Sequence, residues 1–250
     1  MKSTVRLQLI FLCILFTSVS LFVAGWAFIC LISGSYLAAL VSLGAAIWSF
    51  DIAFQMAYVT SEHVRPRIAY GTTGTVLRPQ KFVDHIFSVS SVAGVSAAAL
   101  YLTLSPLGML DAISSNIVQH SAFAISGFVV VFGGWNLYGM LRRGGESYLR
   151  LDPRGVEVWN GHWGSSARRA WEEIEEVSDR PPHGKKVRRE MVVFTLSDRR
   201  YTSLIFDTIT ADSHALREWV RFYWQHPERR DELTDERASR RLEEEKFTVE

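Results

Sequence analysis

LQLIFLCILFTSVSLFVAGWAFICLISGSYLAALVSLGAAIWSFDIAFQMAYV, residues 7–59, carries a single charged side chain, Asp51. The hydrocarbon core of a bilayer takes about 20 helical residues, so this run is too long for one crossing. Ser33-Gly34-Ser35 breaks it. The reading is two transmembrane helices, about 7–32 and 36–59, joined by a tight turn. Two more apolar runs follow, about 82–104, closed by Ser105-Pro106, and about 117–141, closed by Arg142-Arg143-Gly144-Gly145. A secretory signal competes for the first run, because Lys2 and Arg6 resemble its basic start. The run is longer than the apolar part of such a signal, and no small-x-small site closes it. An uncleaved anchor is expected.

Charge divides the chain into unlike halves. Residues 1–141 hold six Lys/Arg and four acids, and the remainder holds 21 basic and 22 acidic residues. An apolar half before a charge-rich half predicts two domains in two solvents: a four-helix transmembrane domain over 1–143, a separate domain over 146–226, and a charged tail over 227–250. Lys2, Arg6, Arg65, Arg67, Arg78, Lys81, Arg142 and Arg143 all fall on alternate sides of the four spans. The positive-inside rule then places both termini in the cytoplasm, in a multi-pass protein of the cell (plasma) membrane.

Small residues recur every four positions at Ala38, Ser42 and Ala46, and at Ser90, Gly94 and Ala98. These are the faces on which lipid-embedded helices pack or dock a partner. Cys13 and Cys30 lie in the same span, 17 residues apart, too far to bridge within one helix. The loop over residues 60–81 is longer than a simple connection needs. Its Gly71-Thr72-Thr73-Gly74 turn and strand-like end suggest a small hairpin able to touch the soluble domain.

After residue 145 the apolar period changes to two. Leu149 and Leu151, Val156 and Val158, and Val192, Phe194 and Leu196 alternate with polar neighbours, with turns at Asp152-Pro153-Arg154-Gly155 and Ser197-Asp198-Arg199-Arg200. Leu216, Trp219, Val220 and Tyr223 then form one helical stripe, capped by Asp212 and stopped by Pro227. Residues 147–224 resemble a bacterial pleckstrin-homology-like domain. The matching features are the first hairpin, the Trp171-x-x-Ile174-x-x-Val177 segment, the turn at 197–200 and the closing helix with Leu216 and Trp219. The layout is similar to membrane-anchored actinobacterial proteins carrying such domains. The resemblance implies an antiparallel β-barrel or sheet capped by a C-terminal helix, with a binding or scaffolding role and no catalytic residues. The tail pairs Glu236 with Arg240, and Arg241 with Glu245, at i, i+4 without an apolar stripe. It reads as a solvated helix or a partner-binding segment.

Two groups of residues are candidate sites. Asp51 is the one charged residue in the body of a span; Gln55 lies one turn on, Asp84 and His85 open the third helix, and Asn136 lies near the end of the fourth. These five predict a polar cluster at the cytoplasmic end of the bundle. It serves interhelical hydrogen bonding near the interface, an ion or proton path, or a polar lipid-headgroup site. Lys185, Lys186, Arg188 and Arg189 form a basic loop able to meet anionic lipid headgroups, or to be balanced by Glu172, Glu173, Glu175 and Glu176. The seven histidines are scattered without metal-ligand spacing, and no phosphate loop or nucleophile elbow occurs. The expectation is a non-enzymatic protein without cofactor or metal. Its partners would be membrane lipids and a membrane protein or further copies of itself, not nucleic acid. A small transport or channel component using Asp51 is the alternative.

Overall fold

The computed structural model describes residues 3–61, 64–110, 116–143, 145, 147–160, 165–179, 191–197, 200–205, 209–210 and 212–248. The chain divides into two compact units. One comprises Arg6–Thr60 and His85–Gly144, and the other Met1–Val5, Ser61–Asp84 and Gly145–Glu250.

The first unit is helical. Its elements are α1 (Ser3–Ile32), α2 (Tyr36–Thr60), α3 (Lys81–Leu104), α4 (Asn116–Phe128) and α5 (Gly134–Arg143). One π-helical turn, Val129–Gly133, joins α4 to α5 with no non-helical residue between them, and the Gly134 N–H reaches both Val130 O and Val131 O. The segments Arg6–Ile32, Tyr36–Thr60, Lys81–Leu104 and His120–Arg143 are long and apolar enough to cross a membrane. Large side chains such as Leu7, Phe22, Ile32 and Leu141 lie at 70% exposure or more, a surface suited to lipid rather than water. Several hydroxyls inside these helices turn back on their own backbone, while Ser20 of α1 donates across to Ala46 O of α2 at 3.0 Å. Thr17 donates to Cys13 O, Ser49 to Ala45 O and Thr103 to Ala99 O, so no polar group is left facing hydrocarbon at those positions.

The second unit is built on two antiparallel sheets. The larger has the order β1 (Arg67–Gly71), β2 (Gly74–Arg78), β3 (Ser147–Asp152), β4 (Gly155–Asn160), β5 (Ser165–Ala170). The smaller is β6 (Ile174–Ser178), β7 (Met191–Leu196), β8 (Tyr201–Ile205). A 3₁₀ turn at Trp171–Glu173 carries the chain from one to the other. Among the described residues no ladder joins them, so the domain is a pair of open sheets rather than a closed barrel. The outer side of β3, which a barrel would need for closure, is already paired with β2.

That pairing changes the domain boundary read from the sequence. The loop between α2 and α3 supplies two of the five strands, in the register Thr75↔Leu151, Val76↔Arg150, Leu77↔Leu149. Alternation then sorts the faces. Leu77, Leu149 and Val158 are buried in one row, while Val76, Arg150, Glu157 and Arg168 form the other. Arg150 and Glu157 sit directly opposite and form an ion pair at 3.4 Å. Gly74 turns the hairpin at φ +106°, and a Cβ there would overlap Leu151 O. Gly155 meets the Arg169 carbonyl just as closely. Only glycine admits these backbone approaches.

α6 (Ser213–Gln225) lays Leu216, Trp219, Val220 and Tyr223 into the same core as Leu149, Phe194 and Leu204. Asp212 caps it through Ala215 N at 2.8 Å. The following residues are no solvated tail. Pro227–Thr234 forms a 3₁₀ helix, α7 covers Glu236–Glu243, and Leu233, Ala238 and Leu242 enter the core. The break at Asp235 puts these three apolar residues on two helices, so no single helical period displays them. Thr75 of β2 donates to Leu233 O at 2.7 Å, joining the inter-helix hairpin to the C-terminal segment. Four tryptophans are fixed the same way: Trp159, Trp171, Trp219 and Trp224 donate to the carbonyls of Gly145, Asp152, Ala238 and Ile174.

Candidate functional site

α2 presents Gly44, Trp48, Asp51 and Gln55 at i, i+4, i+7 and i+11, one face of the helix. The first two identify what that face meets. A Cβ on Gly44 would come within 2.6 Å of Ala97 Cβ and 2.9 Å of Ala93 O, and Trp48 lies against Gly94, all on α3. The α2–α3 seam is therefore packed through small residues, and it continues toward Asp51 and Gln55, which are 3% and 7% exposed. Ser90, one turn from Gly94, is buried and bonds back to Phe87 O at 3.0 Å.

Polar atoms on this seam are poorly matched. Neither Oε1 nor Nε2 of Gln55 has a hydrogen-bond partner among the described residues, and the same holds for Tyr101 Oη, one turn beyond Ala97. On α5, Asn136 Oδ1 is also buried without a partner. It follows by three residues Gly133, the end of the π turn, where a Cβ would lie 2.9 Å from Val95 of α3. A buried amide lacking partners costs about 1–3 kcal/mol, and π turns gather at functional positions. Tyr101 escaped the sequence reading because a tyrosine in an apolar span reads as an interfacial anchor. Its seam position shows only when Ala97 is known to face Gly44.

The other two members of the expected cluster lie elsewhere. His85 is exposed. Asp84 belongs to the sheet unit, where its Oδ2 accepts from Arg67 Nη2 of β1 at 3.2 Å. Gly145, the residue leading into β3, abuts this pair: a Cβ there would lie 3.1 Å from Arg78 Nη1 and 3.2 Å from Asp84 Oδ1. Arg78 of β2 stacks over the Tyr148 ring at 4.9 Å, and the Tyr148 hydroxyl donates to Glu157. Burial lowers the Arg78 pKa from its usual value, Asp84 opposes that shift, and neighbouring Arg67 adds to it. The start of α3, the hairpin and the entry to β3 are thus held by one knot of guanidinium, carboxylate and aromatic groups. Lys185, Lys186, Arg188 and Arg189, the expected lipid-contacting residues, lie outside the described residues. Among those described, no group of His, Cys, Asp or Glu could hold a metal ion.

No protein-family model, curated protein or solved structure matches this chain.

Proposed function

We propose that this chain is a non-enzymatic membrane protein. It presents a pleckstrin-homology-like module on the cytoplasmic face, where the module binds a protein partner or lipid headgroups as an accessory or scaffold subunit. One observation carries this reading: the β2–β3 ladder. A strand from between the second and third apolar helices pairs with a strand that follows the fourth. Both segments must then lie on the same side of any membrane those helices cross. The basic flanks assign that side to the cytoplasm. The module is joined to the spans covalently at three points, after α2, before α3 and after α5. It is an integral part of the membrane protein rather than a domain on a single flexible tether. Such a construction suits a platform that must be held at the bilayer surface. The two antiparallel sheets with α6 against the core are compatible with the pleckstrin-homology-like assignment.

The test is purification of the tagged full chain in mild detergent, with mass spectrometry of the proteins and lipids that accompany it. The expected result is a stoichiometric protein, or one enriched anionic lipid, that is retained by the Asp51→Asn variant and lost when residues from 147 onward are removed. A solitary protein with neither companion contradicts the proposal.

The unmatched amides of Gln55 and Asn136 favour a second reading, a small transport or channel component built on the Asp51 face. In proteoliposomes it requires an ion or proton flux that Asp51→Asn abolishes while the protein remains folded. Absence of flux from the unmodified protein removes this alternative.

A further inference from the structure

Within the sheet unit, the inter-helix hairpin and the two C-terminal helices enclose an apolar groove of about 180 Å³. Ile68 of β1 and Leu77 of β2 form one side, and Leu216 of α6 and Leu242 of α7 the other. This volume is below the roughly 300 Å³ at which small-molecule sites begin. It suits one or two side chains. The rim is acidic, carrying Asp212, Glu243 and Glu245.

Asp212 is engaged as the cap of α6, but Glu243 and Glu245 stand without an ion pair among the described residues, in a segment that otherwise compensates its charge. From residue 228 to 245, Glu228 lies 3.0 Å from His226 Nδ1, and Asp231, Glu232, Asp235, Glu236 and Glu244 each have an ion-pair partner. Glu243 and Glu245 have none among the described residues, and both border the groove. Glu245 takes φ +52° because it ends α7 in a left-handed turn, closed by the Lys246 N–H donating to Arg241 O at 3.1 Å. Exposed carboxylates beside an apolar floor are complementary to a side chain with an apolar stem and a cationic end, next to an apolar neighbour.

We infer that this groove is the module's docking site for a partner protein, and that it takes a short peptide segment pairing an aliphatic or aromatic residue with Arg or Lys. The inference rests on the protein-binding form of the function proposed above and names the site and the chemistry of the partner. The segment's apolar side chain fills the space between Ile68 and Leu242, and its cation meets Glu243 and Glu245. Because the hairpin leads directly into α3, an occupied groove contacts the one part of the module that lies between two spans in sequence.

The full-length protein in detergent micelles is used to select from a displayed random-peptide library. The enriched peptides are then titrated against the unmodified protein, the double variant Glu243→Lys/Glu245→Lys and the milder Glu243→Gln/Glu245→Gln. Thermal unfolding of all three establishes that the fold is retained. The expected result has three parts. Enriched peptides carry Arg or Lys beside an apolar residue, charge reversal weakens them by about tenfold or more with a smaller loss for the Gln pair, and added salt weakens binding to the unmodified protein. Enriched peptides that bind the reversed variant equally well overturn the groove as the site while leaving a protein-binding module intact. Enriched peptides without a basic residue, or no enrichment at all, overturn the inference. A stoichiometric partner in the purification described above would still stand in either case.

Discussion

Glu232 is 3% exposed, and its carboxylate accepts from Arg241 at 2.9 and 3.0 Å and from the Tyr223 hydroxyl at 3.2 Å. A buried charge is tolerated only when paired in this way. Arg241 retains some exposure and can turn to water, so Glu232→Gln falls short of the full penalty of an abandoned buried charge. Its expected cost is about 2–3 kcal/mol of module stability, read as a lowered unfolding midpoint. Burial, together with the neighbouring carboxylate, raises the Tyr223 phenol above its ordinary value of 10.0. The folded protein holds that proton more tightly than the unfolded chain. The stabilisation is therefore intact below pH 10 and is lost as the pH climbs beyond it. Tyr223→Phe should cost about 1 kcal/mol at neutral pH for the lost hydrogen bond and should flatten the alkaline fall in stability. An unchanged alkaline slope in that variant would show that Tyr223 is not the group responsible.

At the scale of elements, the spans were legible because the signal is crude and long. A run of apolar residues closed by Ser-Gly-Ser, Ser-Pro or Arg-Arg has few other readings. The hairpins around Gly155 and the α6 stripe were legible for the same reason, through periods of two and 3.6. Two things were not. The 227–243 segment hides Leu233, Ala238 and Leu242 among charges on two short helices, and its burial depends on contacts such as Trp219 with Ala238 O that no local pattern announces. The pairing of β2 with β3 joins residues about 75 positions apart, and a hairpin of five-residue strands is compatible with many partners. Gly74 is the place to break it. Gly74→Ala forces a strained φ and an overlap with Leu151 O, at a cost of about 2–3 kcal/mol. Limited proteolysis should then cut within residues 61–80 while the apolar spans stay protected. Resistance equal to that of the unmodified protein would mean the hairpin is not held as described.

At the scale of the whole molecule, the intramembrane face at Asp51 and Gln55 was readable from the sequence as polarity in an apolar span, but not its seam. Which side of α2 faces α3 depends on Gly44 meeting Ala97. Asp84, at the head of α3, reads in the sequence as a member of that cluster, but it belongs to the sheet unit, where it pairs with Arg67 of β1 at 3.2 Å. The same long-range pairing that escaped the sequence governs the function proposed here, because it makes the loop between two spans part of a module formed mainly by the C-terminal half.

The most direct test is a cross-strand disulfide in native membranes. Val76 and Arg150 are opposite one another on β2 and β3, and both are partly exposed. Cysteines there, in a chain whose Cys13 and Cys30 are replaced by alanine, should oxidise readily, since antiparallel neighbours place Cβ atoms within disulfide reach. A protease site introduced between the strands makes the link visible as two fragments held together until reduced. Cysteines at Arg150 and Glu157, opposed on β3 and β4, serve as the positive control. The account predicts that both pairs link. Formation of the 150–157 link without the 76–150 link would contradict it, because the inter-helix hairpin would then not belong to the sheet on which the proposed function rests.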